Sequence, residues 1–155
     1  MRLVSPKIRL VNQHLRDPNI YVMGGLEDGV ELTIGNSIRF HELKENSIVL
    51  LMHLSLSLSK EEKSDLLHTD YLCIIDTSES IDHSSPLKVD KKELAHYLGI
   101  CIIMIRGSLM TMLQHHPLDG FTFPILNPTE MLEGCLTVEN NNFILENEKV
   151  NKLHS

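Results

Sequence analysis

The stretch Ser47–Leu58, SIVLLMHLSLSL, decides the fold class. Ile48, Leu50, Met52, Leu54, Leu56 and Leu58 hold one parity, and His53, Ser55 and Ser57 hold the other. Successive strand side chains point to opposite faces, so this pattern predicts a half-buried strand with one apolar and one polar face. Parallel strands are usually apolar on both faces, so an antiparallel sheet follows. The polar face should meet water or the polar layer of another chain.

Working outward, the neighbouring segments also read as extended. Val30, Leu32 and Ile34 alternate with Glu31, Thr33 and Gly35, and Ile8 and Leu10 alternate with Lys7 and Arg9. Ile20 and Val22 continue an extended pattern after the turn signal Asp17-Pro18-Asn19, and Gly24-Gly25 and Asp28-Gly29 mark a loop. Lys60–Asp65 reads as a charged turn. Tyr71, Cys73 and Ile75 then form a fourth strand with Leu72 and Ile74 on its other face, and 76–88 reads as a polar loop. No helical pattern interrupts strands two to four, so they fit a meander of hairpins.

Helices come late. Asp90 followed by Glu93 is a capping-box-like start. Leu94, Ala95, Leu98, Ile102, Ile105, Leu109, Met112 and Leu113 recur near helical spacing until Pro117 and Asp119-Gly120 stop the pattern. The segment FTFPILNPTEML begins extended, and Asn127-Pro128-Thr129-Glu130 opens a short helix. The order, strands first and helices after, predicts an α+β fold. In it, a four-stranded antiparallel sheet (meander) carries a long helix and a short second helix on one face. Residues 1–132 form the expected domain, and 133–155 a polar acidic tail with an apolar patch at Phe143-Ile144-Leu145.

The long helix poses a packing problem. A helix on one face of a sheet should be apolar along one stripe. Here Tyr97, Ile100, Cys101, Ile103, Met104 and Met110 lie opposite the first stripe. A membrane span would need about 20 apolar residues, but Arg106 lies near the middle, and a central Arg costs about 2.5–3.5 kcal/mol on insertion scales. Self-association is the better solution, because homodimer interfaces are apolar in this way. Ile100, Ile103, Met104 and Met110 are the expected oligomer interface, in a dimer or tetramer with no membrane span.

Composition narrows the function. The 155 residues suit one domain of ordinary size. Lys and Arg total 14 against 21 Asp and Glu, a net charge of −7, and Trp is absent. A nucleic-acid partner would need a basic face and stacking aromatics, so it is not expected. The three cysteines, Cys73, Cys101 and Cys135, are widely spaced with no CxxC, and each sits in an apolar run. They read as buried hydrophobes in a reducing compartment. The start MRLVSPKIRL lacks an apolar core of signal-peptide length, and the expected location is cytoplasmic.

No catalytic constellation stands out. Asp82-His83-Ser84 holds triad residue types, but adjacent loop side chains do not form triad geometry. His115-His116 would point about 100° apart on a helix. No HxxxH, HExxH or zinc-spaced Cys/His set occurs, so no metal and no cofactor are expected. A small enzyme using His53, His96 or His115 would need these to converge in one pocket.

His96-Tyr97-Leu98-Gly99 leads into the apolar helix, and Phe123-Pro124-Ile125-Leu126-Asn127 follows about two dozen residues later. This resembles the SecB family of protein-export chaperones and their SecB-like relatives, which carry a His-x-Leu-Gly start and a Phe-Pro-x-Leu-Asn segment at that interval. Val30–Ile34, Ile48–Leu58 and Tyr71-Leu72-Cys73 are similar to the family's second, third and fourth strands. The resemblance implies a homotetramer, a dimer of dimers with the long helices sandwiched between sheets, that holds unfolded polypeptide in apolar grooves. The residues it places in those grooves are Ile20, Tyr21, Met23, Leu26, Phe121, Phe123, Ile125 and Leu126. It allows service in protein export, or as a scaffold dedicated to one partner, such as a toxin–antitoxin component. Ile74 stands where the family has a Glu, and Thr111 where it has a helix Arg. Both departures weaken the case for docking to the secretion motor.

Overall fold

The alternating stretch around Met52 forms the strand its pattern predicts. The computed structural model describes residues 1–16, 32–58, 65–115, 123 and 126–148. Strands β1 (Leu3–Leu15), β2 (Leu32–Leu43), β3 (Ser47–Leu58) and β4 (Asp65–Thr77) make one antiparallel sheet in the order β1-β4-β3-β2. Strands β2 to β4 are the expected meander. The first strand crosses to the far edge and pairs with β4, which gives the sheet a Greek-key order.

Register sorts the side chains by face. Ile38, Met52 and Tyr71 lie in one row, and Phe40, Leu50, Cys73 and Ile8 in the next. These rows carry the core, with Leu50, Met52, Leu56, Cys73 and Ile75 fully buried. The opposite face carries Lys7, Arg9, Arg39, His53, Ser55, His68 and Asp70.

Helix α1 (Lys91–Met112) starts at Asp90, whose carboxylate accepts from the Glu93 N–H at 3.0 Å. Leu94, Ala95, Leu98, Cys101, Ile102, Ile105 and Leu109 are its buried stripe, and it lies over β1 and β4. Three hydrogen bonds fix that seat. The Leu3 N–H donates to Glu93 Oε1 at 2.7 Å, the Tyr97 hydroxyl donates to the Leu3 carbonyl at 3.1 Å, and the Tyr71 and Ser108 hydroxyls meet at 3.0 Å. Tyr97 and Cys101 therefore belong to the sheet-facing side of α1, not to the outer side where helical spacing alone puts them. By length and composition α1 could cross a bilayer; here it is one layer of this fold.

Helix α2 (Pro128–Glu133) is capped by Asn127, whose side chain accepts from the Glu130 N–H at 3.2 Å. It packs on α1 and beside β2. Gly99 faces α2 at the crossing, where a Cβ would stand 3.5 Å from Pro128 Cγ, an ordinary van der Waals contact.

The sequence reading did not anticipate a second sheet. β5 (Leu87–Asp90) pairs with β7 (Asn142–Leu145), which pairs with β6 (Thr137–Glu139). The polar loop thus ends before Leu87, and the apolar patch at Phe143-Ile144-Leu145 is a strand with Phe143 and Leu145 in the core. Asn140 and Asn141, at φ 51° and 62°, make the two-residue turn between β6 and β7, the backbone a type I′ hairpin needs. Asn147 closes the structure against the free edge of β2. It accepts from the Leu43 N–H at 2.6 Å and donates to the Leu43 carbonyl at 3.0 Å. Cys73 and Cys101 are buried as expected, but Cys135 is exposed.

Candidate functional site

Among the described residues, two surfaces stand out. The first is the outer side of α1. Ile103 is 66% exposed and Met110 60% exposed, while Ile100 and Met104 are half-buried. Ile103, Gly107 and Met110 follow helical spacing along one stripe, and among the described residues nothing outside the neighbouring helix backbone comes within 4 Å of a Cβ built at Gly107. Beside this stripe a groove of about 440 Å³ runs between α1 and α2. Its lining is mainly apolar, Ala95, Gly99, Ile100, Ile102 and Ile103 on α1 with Leu126 and Pro128 opposite, and includes His96 and Arg106.

The residues expected in peptide grooves fall unevenly. Leu126 is half-buried and lines this groove. Phe123 is 5% exposed and packs into the core of the single chain. Ile20, Tyr21, Met23, Leu26, Phe121 and Ile125 lie outside the described residues, as does the charged turn expected before Asp65.

The second surface is the sheet face turned away from α1. His53 on β3 pairs directly with Asp70 on β4, and His68 lies two residues before Asp70 on the same face. His53 Nδ1 is 2.7 Å from Asp70 Oδ1, and His68 Nε2 is 3.3 Å from Asp70 Oδ2. The two imidazoles meet edge to face with centroids 4.5 Å apart. Asn12 Nδ2 stands 3.4 Å from His68 Nε2. Burial alone would raise the Asp70 carboxyl, but the His53 hydrogen bond and the neighbouring imidazoles outweigh it and hold it below its ordinary value. A cavity of about 300 Å³ opens alongside, lined by Ser37, Arg39, Leu51, His53 and Asp70.

Sequence reasoning missed this cluster. The polar parity of His53 was visible, and so was the spacing of His68 and Asp70. Nothing in the sequence fixed the register that sets β3 against β4. The other candidates do not converge. His96 is exposed on α1, across the sheet from His53, and His115 stands beyond the far end of that helix. Asp82 and Ser84 bond to each other within a surface turn.

No family model matches the chain, and no curated protein matches it. Among solved structures, the chain is similar to the SecB-like chaperone Rv1957 of Mycobacterium tuberculosis, in complex with a ChAD peptide from the Rv1956 HigA1 antitoxin. Identity is 14% and the TM-score 0.45, over 81% of this chain and 91% of that one.

Proposed function

We propose that this chain is a SecB-like polypeptide-binding protein that works as an oligomer and holds extended or unfolded chains without chemistry of its own. The observation that carries this reading is the unspent apolar surface of α1, led by Ile103 and Met110. A second copy laid on the Ile103–Gly107–Met110 stripe would bury it at roughly 25 cal/mol per Å². Ile100 and Met104 flank that contact. The groove between α1 and α2 shares Ile100 and Ile103 with that contact, and its other wall, Leu126 and Pro128, would remain for apolar side chains of a client. The SecB resemblance also assigns Ile20, Tyr21, Met23, Leu26, Phe121 and Ile125 to client grooves. Several weak sites on one oligomer gain avidity without any single tight pocket. The net charge of −7 keeps such an assembly soluble and favours basic clients.

The test is suppression of aggregation of a chemically denatured model protein diluted into buffer with the full chain. Light scattering of the client should fall as the chain approaches equimolar amounts. Unchanged client scattering at several-fold excess would overturn the holdase reading.

A further inference from the structure

We infer that His53, His68 and Asp70 form a binding site for a borderline divalent metal ion of the Zn²⁺ type on the open face of the sheet. Each contributes one ligand atom, and these atoms all lie within 4.8 Å of one another. Zn²⁺ binds imidazole nitrogen and carboxylate oxygen at about 2.0–2.2 Å, so tetrahedral ligands sit about 3.3 Å apart. His53 Nδ1 stands 2.7 Å from one Asp70 oxygen and His68 Nε2 3.3 Å from the other, so the carboxylate and the two rings must turn to set both nitrogens and a single oxygen at that spacing. Small rotations of partly exposed side chains supply these shifts: the side chains are 35%, 32% and 20% exposed for His53, His68 and Asp70. The ligand Cα atoms need not move, because paired neighbouring strands fix them.

The donor set selects the metal. Two imidazoles and one carboxylate suit Zn²⁺ and its transition-metal neighbours, whereas Mg²⁺ and Ca²⁺ prefer oxygen. Solvent reaches the cluster, so the ion has an entry path. Three protein ligands leave a fourth position for water, next to the cavity that holds Ser37 and Arg39. The Arg39 cation lines the same cavity and opposes a second positive charge, so affinity should be moderate rather than extreme. The site is independent of the polypeptide-binding surface, which lies on the other side of the sheet.

The experiment uses the full-length chain without a histidine tag, stripped with chelator and titrated with ZnCl₂ and with CoCl₂. Calorimetry should give one Zn²⁺ per chain. Co²⁺ should develop the visible absorption of a tetrahedral site, and Zn²⁺ but not Mg²⁺ should raise the thermal midpoint. Loss of an outer-shell partner alone costs about 10–100-fold in metal affinity, so His53→Gln and Asp70→Asn should each weaken Zn²⁺ at least about tenfold. Both substitutions keep side-chain size, and circular dichroism checks that each variant folds. His115→Ala combined with His116→Ala should leave binding unchanged. Unaltered Zn²⁺ affinity in folded His53→Gln and Asp70→Asn, or loss of binding in the His115/His116 variant, overturns the assignment. So does an absence of stoichiometric binding by the unsubstituted chain.

Discussion

Asp82 Oδ1 accepts from the Ser84 hydroxyl at 2.6 Å and from the Ser84 N–H at 2.9 Å. The arrangement is a side-chain-closed turn, and Asp82 and Ser84, two of the three residues that suggest a triad, are used for it. The hydroxyl bond, then the backbone bond, hold the Asp82 carboxyl below its ordinary value of 3.8. A lowered carboxyl contributes its stability above the ordinary value and loses it as pH falls through the lowered one. Ser84→Ala should return the Asp82 midpoint upward toward 3.8, read by NMR titration of the carboxyl carbon; an unmoved midpoint refutes the turn. Cysteine chemistry makes a second residue-level prediction. Cys73 and Cys101 are buried against each other between β4 and α1, and that contact and then burial push the Cys73 thiol up. Of the three thiols, exposed Cys135 should react first with a thiol reagent in the native protein, although partial burial raises that thiol and slows it, and all three should react in denaturant. Such local details divide into two kinds. The caps at Asp90 and Asn127 were legible because a cap is written within four residues. The sorting of cysteines was not, because each sits in an apolar run and only packing separates them.

At the scale of elements, period decides what can be read. β3 keeps strict alternation from Met52 onward, and a one-residue slip would turn that apolar set to solvent, so sequence determines its faces. α1 was legible as a helix but not in its orientation. Its apolar residues wrap most of the circumference, so only tertiary contacts, the hydroxyl bonds of Tyr97 and Tyr71 above all, show which side meets the sheet. Four residues or fewer form each of β5, β6 and β7, too few for a period, and the Asn140-Asn141 turn was their one local signal. The outer stripe of α1 makes the element-scale prediction. Ile103→Glu places an exposed charge in the single chain, so the fold should survive, but a second copy would have to bury that charge unpaired. Light scattering should show the mass fall toward that of one chain with an unchanged circular dichroism spectrum. A variant with the parent's mass would move the interface off this stripe. Met104→Glu is a less clean probe, because Met104 also packs against the core.

At the scale of the whole molecule, the fold class was legible and the closure was not. Strand-then-helix order announced an α+β sheet with helices on one face, but the pairing of β1 with β4 and of β5 with β7 joins residues far apart in sequence. His53 meets Asp70 across the neighbouring strands β3 and β4, whose register no local motif fixes, so the metal-ligand cluster stayed invisible although each member was plain. The C-terminal segment shows the consequence for stability. The sequence reads 133–155 as a polar acidic tail with one apolar patch, and this segment supplies Phe143 and Leu145 to the core and Asn147 to the edge of β2. Three variants should therefore rank in order. Asn147→Ala leaves the part-buried Leu43 N–H and carbonyl without their partner, a cost of about 1–3 kcal/mol. Phe143→Ala removes a fully buried aromatic, about 3–5 kcal/mol. Deleting 137–155 strips β6 and β7 together and leaves β5 unpaired, against a total stability of about 5–15 kcal/mol for a natural domain. Denaturant midpoints should fall in that sequence, with the deletion unfolded or aggregated at room temperature. A deletion that melts with the parent would show the second sheet to be an ornament on a core complete without it, and the boundary at 132 would then be a true domain edge.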